Sequence, residues 1–252
     1  MKLLAIDTST ASLSLAASRV VDGQNCVWSH TAPGGAQASS DLLPALLTLL
    51  RQAGMTLQTL DAIAFGAGPG SFTGLRTACA VAQGLGFGAN VPLLPVDSLL
   101  AVAEDARHTL AVAGPLQVLA LLDARMDEVY SARYVWDGFM WSRAQTWAVS
   151  KPETLHLPEP GEFGDPSPSG PDSAPWLLAG NAFAEYGSRL LPGQPELRRV
   201  SALPTAEALL RLTPALLAAG EAVAAEHALP RYIRDKVAQT TAERAALKAG
   251  PP

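Results

Sequence analysis

Nine residues, GPGSFTGLR at 68–76, follow the apolar run AIAFGA and carry most of the chemistry the chain could perform. A glycine loop between a strand and a helix turns backbone N–H groups outward, and the helix N-terminus adds partial positive charge. Gly68, Gly70 and Gly74 would give the loop its freedom, Ser71 and Thr73 could cap or donate, and Arg76 could pair with an anion or a carboxylate. A tight packing turn explains the same residues. The lysine that a GxxxxGK[ST] phosphate loop requires is missing. AIDTST at 5–10 places Asp7, Thr8 and Ser9 at a strand end, either beside a phosphate or metal or as a turn that satisfies its own backbone. DARMDEVYSARY at 123–134 sets Asp123, Arg125 and Glu128 around a strand turn. A buried ion pair, an interface anchor and a plain charged hairpin all fit that pattern.

Other chemistries find little support. His30, His108, His156 and His227 include no pair at i, i+4, and no HExxH occurs. No GxSxG elbow exists. The net charge is −5 and no basic cluster stands out, which argues against unaided nucleic-acid binding. Cys26 and Cys79 sit in apolar segments without a CxxC, as expected of free thiols in a reducing compartment. MKLLAIDTST is too short and polar for a signal peptide, and no uncharged apolar run reaches the ~18–20 residues of a membrane span. A soluble cytoplasmic protein is expected.

The elements that must hold these residues follow from periodicity. KLLAID (2–7), SLSLAAS (12–18) and QNCVWSHT (24–31) read as a β-meander, with Asp22-Gly23 as a hairpin turn. DLLPALLTLLRQAG predicts a helix with Leu43, Leu46, Leu47 and Leu50 on one face, ended by Gly54, and Pro44 near the first turn or at a kink. Strand 60–67, helix 74–88, strand 91–97 and a helix from Ser98, with Ser98 as N-cap, complete a βββαβαβα order to about residue 105. Ala80, Gly84 and Gly88 recur every four residues on helix 74–88. That small face predicts close approach of another helix, whether 41–53 of the same domain or one from another subunit. The second half repeats the order: strands 116–124, 127–136 and 139–149 with an Asp137-Gly138 turn, strand 175–180, then helices at 181–191 and 204–220. Residues 158–175, rich in proline and glycine, read as a loop, and the tail after His227 as extended and then charged. Strands followed by strand–helix alternation predict mixed sheets covered by helices.

AIDTST, AFGAGPGSFTGLR with AQGL at 82–85, DARMDEVY at 123–130 and EHALPRYIRD at 226–235 together make the chain resemble the TsaB family, formerly YeaZ, over nearly its whole length. GPGSFTGLR combined with the DAR turn is a specific signature. The resemblance implies an α/β, two-lobed actin-like (ASKHA) fold, each lobe a mixed β-sheet of βββαβα type flanked by helices. The lobes are expected at 1–105, with the partner helices, and at 106–252, with the Pro-rich loop 158–175 and the C-terminal tail.

The resemblance also implies a non-catalytic scaffold that supports the TsaD subunit in forming N6-threonylcarbamoyladenosine next to the anticodon of tRNAs. TsaE, a small ATPase, joins that pair, and the subunit forms a homodimer when alone. tRNA is met only through the complex, and no membrane is involved. The chain alone is expected to bind no cofactor and no metal, with ATP or ADP a candidate ligand of the complex interface. On this sequence the implied partner interface comprises Leu42, Leu46, Leu49, Phe72, Arg76, Ala80 and Gly84. Asp7, Thr8, Gly68, Gly70, Ser71, Thr73 and Gly74 would be a degenerate phosphate loop, and Asp123, Arg125 and Glu128 a structural ion pair or turn. TsaD-like proteins carry a metal-binding histidine pair on the first-lobe helix. QASSDLLP holds no histidine, and Ala38 stands where TsaB relatives often keep one. Rival readings are a free-standing actin-like-fold small-molecule kinase, a metallopeptidase-like enzyme and a structural homodimer without a tRNA role.

Overall fold

A computed structural model of the chain describes residues 1–35, 38–157, 175–194 and 196–234. The Pro-rich stretch 158–174, the charged tail beyond 234 and the Ala38 side chain lie outside the described residues. β1 (Lys2–Asp7), β2 (Ser12–Val21) and β3 (Gln24–Pro33) form the expected antiparallel meander. Asp22 and Gly23 both take left-handed φ (50° and 80°), the backbone of a two-residue hairpin turn that matches strand twist. β4 (Ala62–Gly68) and β5 (Leu93–Asp97) add in parallel, giving the order β3-β2-β1-β4-β5. Every β4 residue is buried because helices cover both faces of a parallel strand, so its sequence is a continuous apolar run.

The second lobe repeats the plan. β6 (Leu116–Arg125), β7 (Glu128–Trp136) and β8 (Trp141–Arg143) are antiparallel neighbours, β9 (Ala148–Ser150) also pairs with β7, and β10 (Trp176–Gly180) and β11 (Arg198–Ser201) add in parallel. The order β11-β10-β6-β7-β8 mirrors the first sheet. Four details differ from expectation. The strand expected over 139–149 is two short pieces, β8 and β9. The helix expected at 181–191 shrinks to α4 (Phe183–Tyr186) and a 3-10 turn at Gly187–Arg189. β11, with two arginines in four residues, offers no apolar alternation and is legible only as an edge partner of β10. Ser98 is not the cap of its helix. Asp97 caps it through Oδ1, which accepts from the N–H groups of Leu99 (2.9 Å) and Leu100 (3.3 Å), and Ser98 Oγ accepts from Gly68 N at 3.2 Å.

α1 (Ala38–Gln52) and α2 (Phe72–Ala89) pack on the outer face of the first sheet. α3 (Ser98–Thr109) and α5 (Ala206–Ala218) lie between the sheets with exchanged allegiance. α3 buries Leu99, Val102 and Ala106 against Val118 and Ala120 of the second sheet, and α5 buries Ala206 and Leu209 against Leu3 and Ala5 of the first. The exchange interleaves the two lobes in one helical layer, and the expected lobe boundary at 105/106 falls inside α3. Buried Glu104 on α3 ties the layer together. It accepts from Arg107 (2.8 Å), from Arg211 of α5 (2.9 Å) and from the Trp141 indole of β8 (3.0 Å), and these partners outweigh burial to hold its carboxyl below the usual range. Asp97 Oδ2 adds a second cross-lobe link, accepting from Tyr134 O–H at 2.5 Å and Trp147 Nε1–H at 2.8 Å.

α1 buries only half of the leucine face read from periodicity, Leu46 and Leu50. Leu42, Leu46, Leu49, Leu50 and Ala53 are buried, while Leu43 (43 %) and Leu47 (42 %) are exposed. Leucines on nearly every side leave the choice of face to the sheet. Pro44 falls in the second turn, on the exposed side.

Candidate functional site

The loop after β4 is folded against the loop after β1. Ser71 N donates to Ser9 O at 2.7 Å, and Thr8 Oγ1 donates to Gly74 O at 2.6 Å. Ser71 caps α2 by accepting from Gly74 N at 3.4 Å. The glycines answer to close approach: a Cβ would stand 1.7 Å from Thr8 O at Gly74 and 2.5 Å from Ser9 O at Gly70. At Gly68, with φ at +118°, it would stand 2.5 Å from Arg231 O. The chain's own backbone accounts for these three glycines and for Ser71 N, as a packing turn requires.

Asp7 is 1 % exposed. Its Oδ1 accepts from Ser9 N (2.9 Å) and Ser9 Oγ–H (2.8 Å), while Oδ2 has no hydrogen-bond partner and occupies the space a Cβ at Gly66 would take. Burial outweighs the Ser9 hydrogen bonds and pushes the carboxyl up to about 7. Thr8, Ser9 and Thr10, not Asp7, form the wall of a cleft of about 480 Å3 between the lobes. Ser71 and Thr73 continue that wall, Asp123, Tyr130 and Asn181 line the second-lobe side, and Arg231–Arg234 cross it. The degenerate-loop residues are therefore neighbours, with the carboxylate sealed behind them. Among the described residues no group of three or more His, Cys, Asp or Glu is arranged to hold a metal ion.

The DAR turn is not a buried ion pair. Asp123 and Arg125 meet at 3.2 Å with the arginine side chain 78 % exposed, a surface contact worth ~0–1 kcal/mol. Glu128 pairs elsewhere, with Arg234. Asp123 Oδ1 accepts from Arg125 N (2.8 Å) and Tyr186 O–H (2.9 Å), so the plain reading gains a structural role. Arg125, Met126 and Asp127 are all left-handed (φ 60°, 56° and 60°), a conformation costing roughly 1–2 kcal/mol per non-glycine residue. Asp127 is held against that cost by two hydrogen bonds from Arg189, at 2.7 and 2.9 Å.

α2 carries the small-residue face outward. Ala80, Gly84 and Gly88 are exposed, a Cβ at Gly84 or Gly88 meets nothing within 4 Å, and neighbouring Phe87 is 80 % exposed. The face does not pack on α1, which removes the within-domain alternative. Leu42, Leu46 and Leu49 require correction as interface residues: all three are enclosed in the first-lobe core and present no surface to a partner. Phe72 is half-buried, and exposed Arg76 lies 3.7 Å over its ring and donates from Nε to Tyr232 O–H at 3.0 Å. The sequence marks 226–235 as a motif and RYIRDK as a charged tail open to contact with the partner, the ATPase or tRNA phosphate, but does not show what Tyr232 and Arg234 touch. Their partners, Arg76 and Glu128, are too far away in the chain for local spacing to reveal.

Three comparisons bear on this geometry. The family model for TsaD, tRNA N6-adenosine threonylcarbamoyltransferase, matches residues 29–242. The tRNA threonylcarbamoyladenosine biosynthesis protein TsaB of Escherichia coli K12 is 36 % identical over 248 residues, 94 % of this chain and 96 % of that protein. The protein of the same name from Haemophilus influenzae is 35 % identical over 161 residues, covering 61 % of this chain and 65 % of its own. Among solved structures, YeaZ from Pseudomonas aeruginosa aligns with TM-score 0.77 at 37 % identity over 92 % of this chain and 99 % of its own.

Proposed function

The chain belongs to the TsaB family, and we propose that it acts in tRNA threonylcarbamoyladenosine biosynthesis as a scaffold subunit for a TsaD-type catalytic partner. The observation that carries the reading is the outward face of α2. Ala80, Gly84 and Gly88 form an exposed stripe, open at both glycines, with Arg76 at its start and exposed Phe87 beside it. Small residues let a second helix approach closely. Exposed Leu43 and Leu47 on α1 replace Leu42, Leu46 and Leu49 as the leucines of that surface. A second copy could use the same face, which gives the homodimer when the partner is absent.

The match to a transferase model favours a second reading, in which this chain does the chemistry. We place it behind the first because Asp7 is walled from the cleft, Thr8 Oγ1–H is bonded to Gly74 O and Ser9 Oγ–H to Asp7 itself. A TsaE-type ATPase, nucleotide at the complex interface, tRNA contact only through the complex and a cytoplasmic location complete the proposal. The test is a reconstituted tRNA modification assay with the TsaD-type and TsaE-type subunits, the threonylcarbamoyl donor system and unmodified tRNA. The expected result is modification only when this chain is present. Equal modification without it overturns the scaffold reading.

A further inference from the structure

We propose that the C-terminal segment 228–234 is a strap through which the second lobe positions the docking face of α2, with Tyr232 as the residue that orients Arg76. The inference rests on the reading of α2 as that face. The segment begins on the first lobe, where Ala228 O accepts from Gln83 Nε2 of α2 at 2.9 Å. Arg231 N donates to Ala67 O at the end of β4 at 2.6 Å. Gly68 is bare of a Cβ so that Arg231 O can pass. Tyr232 then reaches the first turn of α2, its ring 5.2 Å from the Phe72 ring and its hydroxyl accepting from Arg76 Nε.

The segment ends on the second lobe. Ile233 packs against that lobe's core, and Arg234 pairs with Glu128 and reaches Met126 Sδ at 3.5 Å. The far anchor is the left-handed turn that Arg189 pins through Asp127. A few residues thus link α2 to the Arg189-bonded hairpin across the cleft. Arg76 is held between an aromatic face and a hydroxyl while staying exposed, so its rotamers are restricted before any partner arrives. Pre-ordering a long side chain lowers the entropy lost on docking. Loosening either end of the strap should therefore weaken docking without touching the small-residue stripe.

The test measures the affinity of the full chain for the TsaD-type subunit by titration calorimetry, with melting temperatures alongside. Tyr232→Phe keeps the ring and loses the hydroxyl, and roughly 5-fold weaker binding is expected from one net hydrogen bond. Arg234→Ala, at the second-lobe anchor, is expected to weaken binding roughly 5- to 10-fold with the chain still folded. In an Arg76→Ala background, Tyr232→Phe should change affinity no further, a coupling that a merely structural tyrosine would not produce. Gly84→Leu serves as the control on the face itself. If Gly84→Leu abolishes binding while Tyr232→Phe and Arg234→Ala bind like wild type, the strap inference fails and the docking face survives. Additive effects of Arg76→Ala and Tyr232→Phe overturn the positioning role in the same way. If Gly84→Leu binds undiminished, the docking-face reading falls and takes the strap with it.

Discussion

One substitution made at two glycines of one helix should have opposite signs. At Gly74, in the first turn of α2, a Cβ would sit 1.7 Å from Thr8 O. The obstacle is a backbone carbonyl, so relief requires the two loops to part. Parting them strains or breaks the Thr8 Oγ1–Gly74 O and Ser71 N–Ser9 O hydrogen bonds, at 2.6 and 2.7 Å. Overpacking typically costs ~1–3 kcal/mol, and each lost hydrogen bond adds about 1 kcal/mol. Gly74→Ala should therefore destabilise the chain by about 3–5 kcal/mol, a large share of the ~5–15 kcal/mol that holds a typical domain. At Gly84, three turns along, the new methyl meets nothing within 4 Å. Only helix propensity remains, and Gly84→Ala should stabilise by up to ~1 kcal/mol. Urea unfolding of the two variants beside wild type, followed by far-UV circular dichroism, separates the cases. Equal stability of the two variants, or a Gly74→Ala protein as stable as wild type, would refute the close-approach account of the loop.

Asp7 gives a pH signature. Its folded value near 7 lies above the ordinary 3.8, so the folded state keeps a proton that the unfolded state releases. Stability is then lost from about pH 4 to about pH 7, by about 1.36 kcal/mol per pH unit at most. Relative to wild type, Asp7→Asn should gain about 4 kcal/mol between about pH 4 and about pH 8, measured by urea midpoints; parallel profiles would contradict this. Leu46→Ala should cost ~2–5 kcal/mol, and Leu47→Ala within ~0.5 kcal/mol, since only Leu46 is enclosed. Denaturation curves of the pair settle which face of α1 is inside. Tyr134→Phe removes the cross-lobe hydrogen bond to Asp97 and should cost ~1–3 kcal/mol, because a buried acceptor loses a donor. An unchanged unfolding midpoint would deny the link between the lobes.

Much of the architecture was legible from local signals. Two Asp-Gly turns separated by more than a hundred residues announced two meanders, and strand–helix alternation after each announced a repeated mixed sheet. What escaped was decided by tertiary context. α1 has leucines on nearly every side, so periodicity could not say whether Leu42 or Leu43 faces the sheet. Asp97 and Ser98 are both capping residues in adjacent positions, and only the approach of Gly68 N decides that Ser98 serves the loop. The glycines of 68–74 fit a phosphate cradle and a packing turn alike, because a sequence does not show which backbone will press against them. Thr8 O and Ser9 O supply that pressure. Tyr232 and Arg234 stayed hidden because their partners are more than a hundred residues away.

The central claim is that this chain supports a catalytic partner through α2 and performs no chemistry through Asp7. The direct measurement is threonylcarbamoyladenosine formation on tRNA in the reconstituted system, with wild type, Gly84→Leu and Asp7→Asn added at matched concentrations of folded protein. The account predicts that Asp7→Asn sustains modification at the wild-type rate while Gly84→Leu does not. Loss of modification with folded Asp7→Asn, and full activity with Gly84→Leu, would contradict it.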